Sequence, residues 1–154
     1  LFSIIMGNRM KGIFKPKNPN KYKGDPTNII YRSSYELKLM NYLDQHQDII
    51  SWGSETIIVK YKSPIDGKYH RYYVDFIVTK LNPDGSRETI LIEVKPYRQT
   101  IEPKKPKKIN KKYINEVKTW GINTAKWKAA RNYCEHKGWK FQIFTESELG
   151  IKYK

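Results

Sequence analysis

Cysteine occurs once in the 154 residues, at Cys134, which excludes an internal disulfide and fits a reducing compartment. Histidine is nearly as scarce. His46, His70 and His136 show no metal-ligand spacing, so a zinc centre built from His and Cys is excluded. No apolar run is long enough to span a bilayer and no lipidation signal is present. Residues 1–5 are apolar but too short for a signal peptide, and Met6 reads as a natural start. Acidic residues are the other shortage. Fifteen Asp and Glu face 30 Lys and Arg, leaving a net charge of +15. So large a charge on one small domain implies a polyanionic partner, and nucleic acid fits it better than a membrane surface.

What the chain does contain is organised around Thr89-Ile90-Leu91-Ile92-Glu93-Val94-Lys95-Pro96. The stretch reads as a buried β-strand stopped by a proline that cannot donate to a ladder. Alternation places Leu91, Glu93 and Lys95 on one face and Ile90, Ile92 and Val94 on the other. Glu93 and Lys95 therefore stand at a sheet rim. Taken alone, such a pair is more often solvated than catalytic.

Two basic segments flank the remaining elements. Residues 7–32 hold Arg9, Lys11, Lys15, Lys17, Lys21, Lys23 and Arg32 against Asp25, and Pro16 and Pro19 favour an arm without regular structure. Residues 97–112 hold Arg98, Lys104, Lys105, Lys107, Lys108, Lys111 and Lys112 against Glu102, with Pro103 and Pro106 excluding a helix. Together the segments account for 12 of the 15 excess charges. Lys21 and Lys23 aside, their basic residues are the candidate phosphate contacts. The division expected is a basic arm over 1–32 and one folded domain over 33–154 carrying the 97–112 loop.

Between them, Ser33 and Glu36 have capping-box spacing and open a helix to about residue 46, with Leu37, Met40 and Leu43 as its buried stripe. Segments 52–61, 68–79 and 87–95 alternate as strands, joined by Asp66-Gly67 and by Asp84-Gly85, and predict a three-strand antiparallel meander. A helix follows over 113–136, with a break open at Gly121, then a strand over 139–144 and a short capped turn at Thr145. The fold class expected is α/β with a mixed α+β sheet: the meander flanked by helices. Asp75, inside Tyr-Val-Asp-Phe-Ile-Val, is a poor strand former in a poor place for a charge.

Glu36, Asp75 and Glu93 thus converge on one rim with Lys95. Adjacent carboxylates repel unless a cation or proton neutralises one. Hard oxygen donors without soft ligands suit Mg²⁺ or Mn²⁺. In so basic a chain this suggests phosphodiester hydrolysis, with Lys95 orienting water or steadying developing charge.

The order helix-Glu36, strand-Asp75, Glu93-x-Lys95, helix resembles the PD-(D/E)xK core of restriction-endonuclease-like nucleases, with Val74 where that core usually has proline. It is closer to the endonuclease component of heteromeric transposases. Closer still, Lys15-Pro16-Lys17-Asn18-Pro19, Tyr22-Lys23-Gly24-Asp25-Pro26, Arg32-Ser33-Ser34, Ser63-Pro64-Ile65-Asp66-Gly67, Glu93-Val94-Lys95-Pro96 and Tyr113-Ile114-Asn115-Glu116-Val117 resemble the head completion nucleases of T-even-type phages. The resemblance runs over nearly all the chain from Met6. It implies a Mg²⁺- or Mn²⁺-dependent endonuclease with Asp75 and Glu93 as metal ligands, Glu36 as a further ligand or water positioner, and Lys95 as the electrostatic catalyst. Its implied setting is the virion and host cytoplasm. The partners implied are double-stranded DNA and capsid or neck proteins, with a homodimer allowed and no membrane. The alternatives left open are a structural DNA-end-binding or neck-assembly protein with an idle nuclease site, and a junction resolvase on the same core.

Overall fold

The computed structural model describes residues 10–151. Its centre is a four-stranded sheet in the order β3–β6–β7–β8, formed by Ile49–Ser54, Phe76–Leu81, Arg87–Val94 and Lys140–Phe144. The first two neighbouring pairs are antiparallel, and β7 runs parallel to β8. Parallel neighbours need a long crossover. Here it is the helix α2, Lys111–Lys137. Strand β7 is buried on both faces, which is why it reads as an almost unbroken apolar run.

Each face of the sheet has its own core. Ile90, Ile92 and Val94 of β7 join Phe76, Val78 and Trp52 under helix α1, Ser34–Gln45, which contributes Leu39, Met40 and Leu43. Leu91 points the other way, to Trp127, Ala130 and Cys134 of α2. Cys134 is a buried free thiol on that helix. Among the described residues no helix is long and apolar enough to cross a membrane.

Three expectations change. The segments 52–61 and 68–79 are not single strands. Each splits, and a piece of each joins a separate two-stranded ribbon of β4, Ile58–Lys62, and β5, Tyr69–Tyr73. The first split follows from Glu55, whose φ of 56° lies in the left-handed region, and the second from Asp75, which no strand includes. The helix α2 is continuous through Gly121. That residue is half-buried with Pro64 beside it, so packing offsets its weak propensity.

The N-terminal segment is not irregular either. Strands β1, Gly12–Phe14, and β2, Ile29–Tyr31, pair antiparallel, and Phe14 and Ile29 enter the core beside Trp52. Buried Asp44 accepts hydrogen bonds from the backbone N–H groups of Lys17 (2.8 Å) and Asn18 (2.9 Å). The lysines that suggest a loose arm ride on a frame held by these few anchors.

Both short caps form, but only the second completes its capping box, because the Glu36 carboxylate accepts from the Arg32 N–H instead of the Ser33 N–H. Ser33 accepts from the N–H of Glu36 at 3.1 Å, and Thr145 opens α3, Glu146–Leu149, with Glu148 completing a capping box.

Candidate active site

The break in the second strand builds the site. Val74 packs into the core under α2 while Phe76 packs under α1, so the chain changes faces at Asp75. Backbone bonds from Val74 N–H to the Ile57 carbonyl and from Glu55 N–H to the Asp75 carbonyl, both 3.0 Å, tie the kink down. One step beyond the Phe76–Ile92 pair, Asp75 comes alongside Glu93. The Asp75 Oδ2 accepts a hydrogen bond from the N–H of Val94 at 2.8 Å.

Burial raises the Asp75 carboxyl well above its ordinary range. The charge of Glu93 and a hydrogen bond shared with it push further in the same direction, and Glu36 adds a smaller push. Glu93 is itself only 4% exposed, with the indole N–H of Trp127 3.4 Å from its Oε2. Two mutually repelling carboxylates, Glu93 buried and Asp75 half-buried, therefore occupy one spot.

Glu36 stands at the start of α1. Its carboxylate accepts from the backbone N–H of Arg32 at 3.3 Å, one residue before the cap position. Burial raises its pKa, the Arg32 bond opposes the shift and the Glu55 charge adds to it. Lys95 follows the end of β7, where its N–H donates to the Phe144 carbonyl at 3.0 Å. It is half-buried, and its ammonium forms no ion pair or hydrogen bond among the described residues.

The donor set fits a hard divalent cation: two desolvated carboxylates without a neutralising side chain beside them, and no soft ligand. Among the described residues no three His, Cys, Asp or Glu side chains are grouped closely enough to hold a metal. The pair Asp75–Glu93 is thus the metal-binding candidate. Glu36 acts on it through its field while bonded to its own helix start.

Sequence reasoning missed three neighbours. Glu55, ion-paired with Arg32, holds the Asp75 backbone and contributes charge at Glu36. Tyr72 is buried, and its hydroxyl titrates far above the ordinary range through burial and then the charges of Glu93 and Asp75. Trp127 is the indole donor to Glu93. Only the kink makes Tyr72 and Glu55 neighbours of the carboxylates, and nothing in the alternation pattern marks it.

The predicted phosphate contacts scatter more widely. Arg9 lies outside the described residues. Lys11, Lys15 and Lys17 are exposed on the N-terminal segment, and Arg32 is engaged with Glu55. Lys104, Lys105, Lys107, Lys108 and Lys111 are exposed. Arg98 and Lys112 line a cleft of about 820 Å³ whose wall includes Trp120. Trp120 meets Trp127 edge-on at 6.0 Å, so the cleft adjoins the Glu93 side of the site.

Residues 46–146 match the TnsA-like endonuclease N-terminal family. The chain belongs to that family. Its fold is restriction-endonuclease-like, and nucleases of this fold generally use divalent metal ions. The matched span includes Asp75, Glu93 and Lys95, whereas Glu36 precedes it. The chain is also 42% identical over 142 residues to the head completion nuclease of Enterobacteria phage T4, covering 90% of this chain and 92% of the T4 protein.

Proposed function

We propose that this TnsA-like family member is a Mg²⁺- or Mn²⁺-dependent endodeoxyribonuclease of phage head completion, processing DNA ends before tail attachment. The observation that carries the reading is the Asp75–Glu93 pair, a half-buried and a buried carboxylate brought together by a kink in the strand. The extent of the likeness to the T4 protein supports the biological setting.

Asp75 and Glu93 are the residues that would hold the ion. When bound, the metal supplies Lewis-acid polarisation of the scissile phosphate and a lower pKa for the attacking water. The N–H of Val94 and the indole of Trp127 keep the two carboxylates oriented. Lys95, with its ammonium free, orients the water or offsets charge developing on the phosphate. Glu36, bonded to its own helix start, positions water or acts on the pair through its charge. Duplex DNA is the substrate, capsid or neck proteins are the assembly partners, and the virion and host cytoplasm are the setting.

Plasmid DNA incubated with purified protein, with Mg²⁺ and with excess chelator, tests the reading. Cleavage in the first sample alone is expected. Full activity after exhaustive chelation would exclude the metal mechanism. Head completion by cleavage-dead Asp75→Asn protein at wild-type efficiency would favour a neck-assembly role with an idle site.

A further inference from the structure

The β4–β5 ribbon has one face in the core and one in solvent. Val59, Tyr61 and Tyr72 pack toward α2. The opposite face is made by three directly facing pairs: Ile58 with Tyr73, Lys60 with Arg71, and Lys62 with Tyr69. All six side chains are exposed, Tyr69 at 72%. Among the described residues Lys60, Lys62 and Arg71 form no ion pair.

Like charges directly across a ladder are destabilising. Lys60 and Arg71 face each other in this way with no carboxylate between them, an arrangement the isolated fold does not need. A polyanion resolves it. A second copy of the same face would add positive charge to positive charge, so self-association there is disfavoured. A two-stranded ribbon also has the dimensions to enter a duplex groove, and Tyr hydroxyls and basic side chains are ordinary phosphate ligands.

The ribbon is continuous with the site. Tyr73 is two residues from Asp75, and the bonds at Ile57 and Glu55 carry the pairing across the kink. Arg71 is four residues from Asp75, at most roughly 13 Å of extended chain. Only Val74 separates the end of the ribbon at Tyr73 from Asp75, so the outer face and the carboxylates belong to one continuous stretch of chain.

We propose that the outer face of the β4–β5 ribbon is a duplex-DNA docking surface that delivers the scissile phosphate to the Asp75–Glu93 site. The proposal rests on the nuclease reading for its substrate. It assigns DNA contact to Lys60, Lys62, Arg71, Tyr69 and Tyr73, all outside the two basic segments.

Duplex binding measured in chelator across a salt series tests it. The triple variant Lys60→Ala/Lys62→Ala/Arg71→Ala should shallow the log–log slope by up to about 2.7, at roughly 0.9 for each phosphate no longer neutralised. With metal, KM should rise while kcat at saturating DNA holds. A charge-preserving variant, Lys60→Arg/Lys62→Arg/Arg71→Lys, should restore the wild-type slope, separating charge from ribbon folding. An unchanged slope in the alanine variant, with wild-type cleavage intact, overturns the docking surface and leaves the nuclease reading standing. A shallower slope in a protein that never cleaves DNA keeps the docking surface and removes the nuclease reading. Unchanged DNA binding with failed head completion would overturn the assignment in favour of an acidic protein partner.

Discussion

Asp75 lies alongside Glu93 with its own carboxylate bonded to the next residue's amide, Val94 N–H, at 2.8 Å. The bond fixes one oxygen of a group that burial and a neighbouring negative charge both press toward protonation. This spot is unfavourable for an anion and favourable for a cation.

Asp75→Asn should therefore stabilise the metal-free protein at neutral pH. A carboxyl with a raised folded pKa makes the folded state the better proton binder, so stability falls as pH climbs above the ordinary value of 3.8. The Tm advantage of the variant should widen from about pH 4 upward and vanish below it. Divalent metal should raise Tm in the wild type and hardly in the variant, whose amide is a poor ligand for a hard cation. Cleavage should fall by several orders of magnitude. Thermal melts over pH with and without Mg²⁺ check the first two effects. An Asp75→Asn protein less stable than wild type at pH 7 would contradict the desolvated-pair account.

Lys95→Ala should separate chemistry from metal binding. Its ammonium makes no bond within the described fold, so stability should change little. Loss of one preorganised charge at the reacting phosphate should cost about 10²–10³ in kcat. Metal-dependent stabilisation should persist, because the carboxylates remain. Single-turnover cleavage beside metal-titrated melts distinguishes this from a structural role for Lys95.

The central strand was legible because β7 is buried on both faces, and Glu93 and Lys95 break its apolar run where no structural need explains them. The caps at Ser33 and Thr145 were legible because capping is local chemistry. The splits at Glu55 and Asp75 were not. Alternating patterns run through both positions, and only long-range bonds, Glu55 to Asp75 and Val74 to Ile57, show that the chain turns there. The N-terminal segment misled for a related reason. Its lysines and prolines outnumber Phe14 and Ile29, yet those two residues and the buried Asp44 decide its place.

Phe14→Ala tests that placement. The ring is 5% exposed and meets Trp52 edge-on at 5.9 Å. Removing it should cost about 3–5 kcal/mol, the usual range for truncating a buried aromatic residue. Denaturant melts measure the loss. A change within about 0.5 kcal/mol, as at ordinary surface positions, would return the segment to a loosely held arm.

The second basic segment should behave in the opposite way. Lys104, Lys105, Lys107 and Lys108 are exposed, lie outside helix and strand, and form no ion pair among the described residues. Replacing all four by Ala should leave Tm nearly unchanged. If the loop meets phosphates, the salt dependence of duplex binding should flatten by up to about 3.6 in log–log slope, at roughly 0.9 for each phosphate. Affinity should fall most at low salt, where released counterions contribute most to binding. Binding curves across a salt series provide the measurement. An unaltered slope would remove the loop from the DNA interface and leave its charge for a protein surface, which favours the neck-assembly role over end processing.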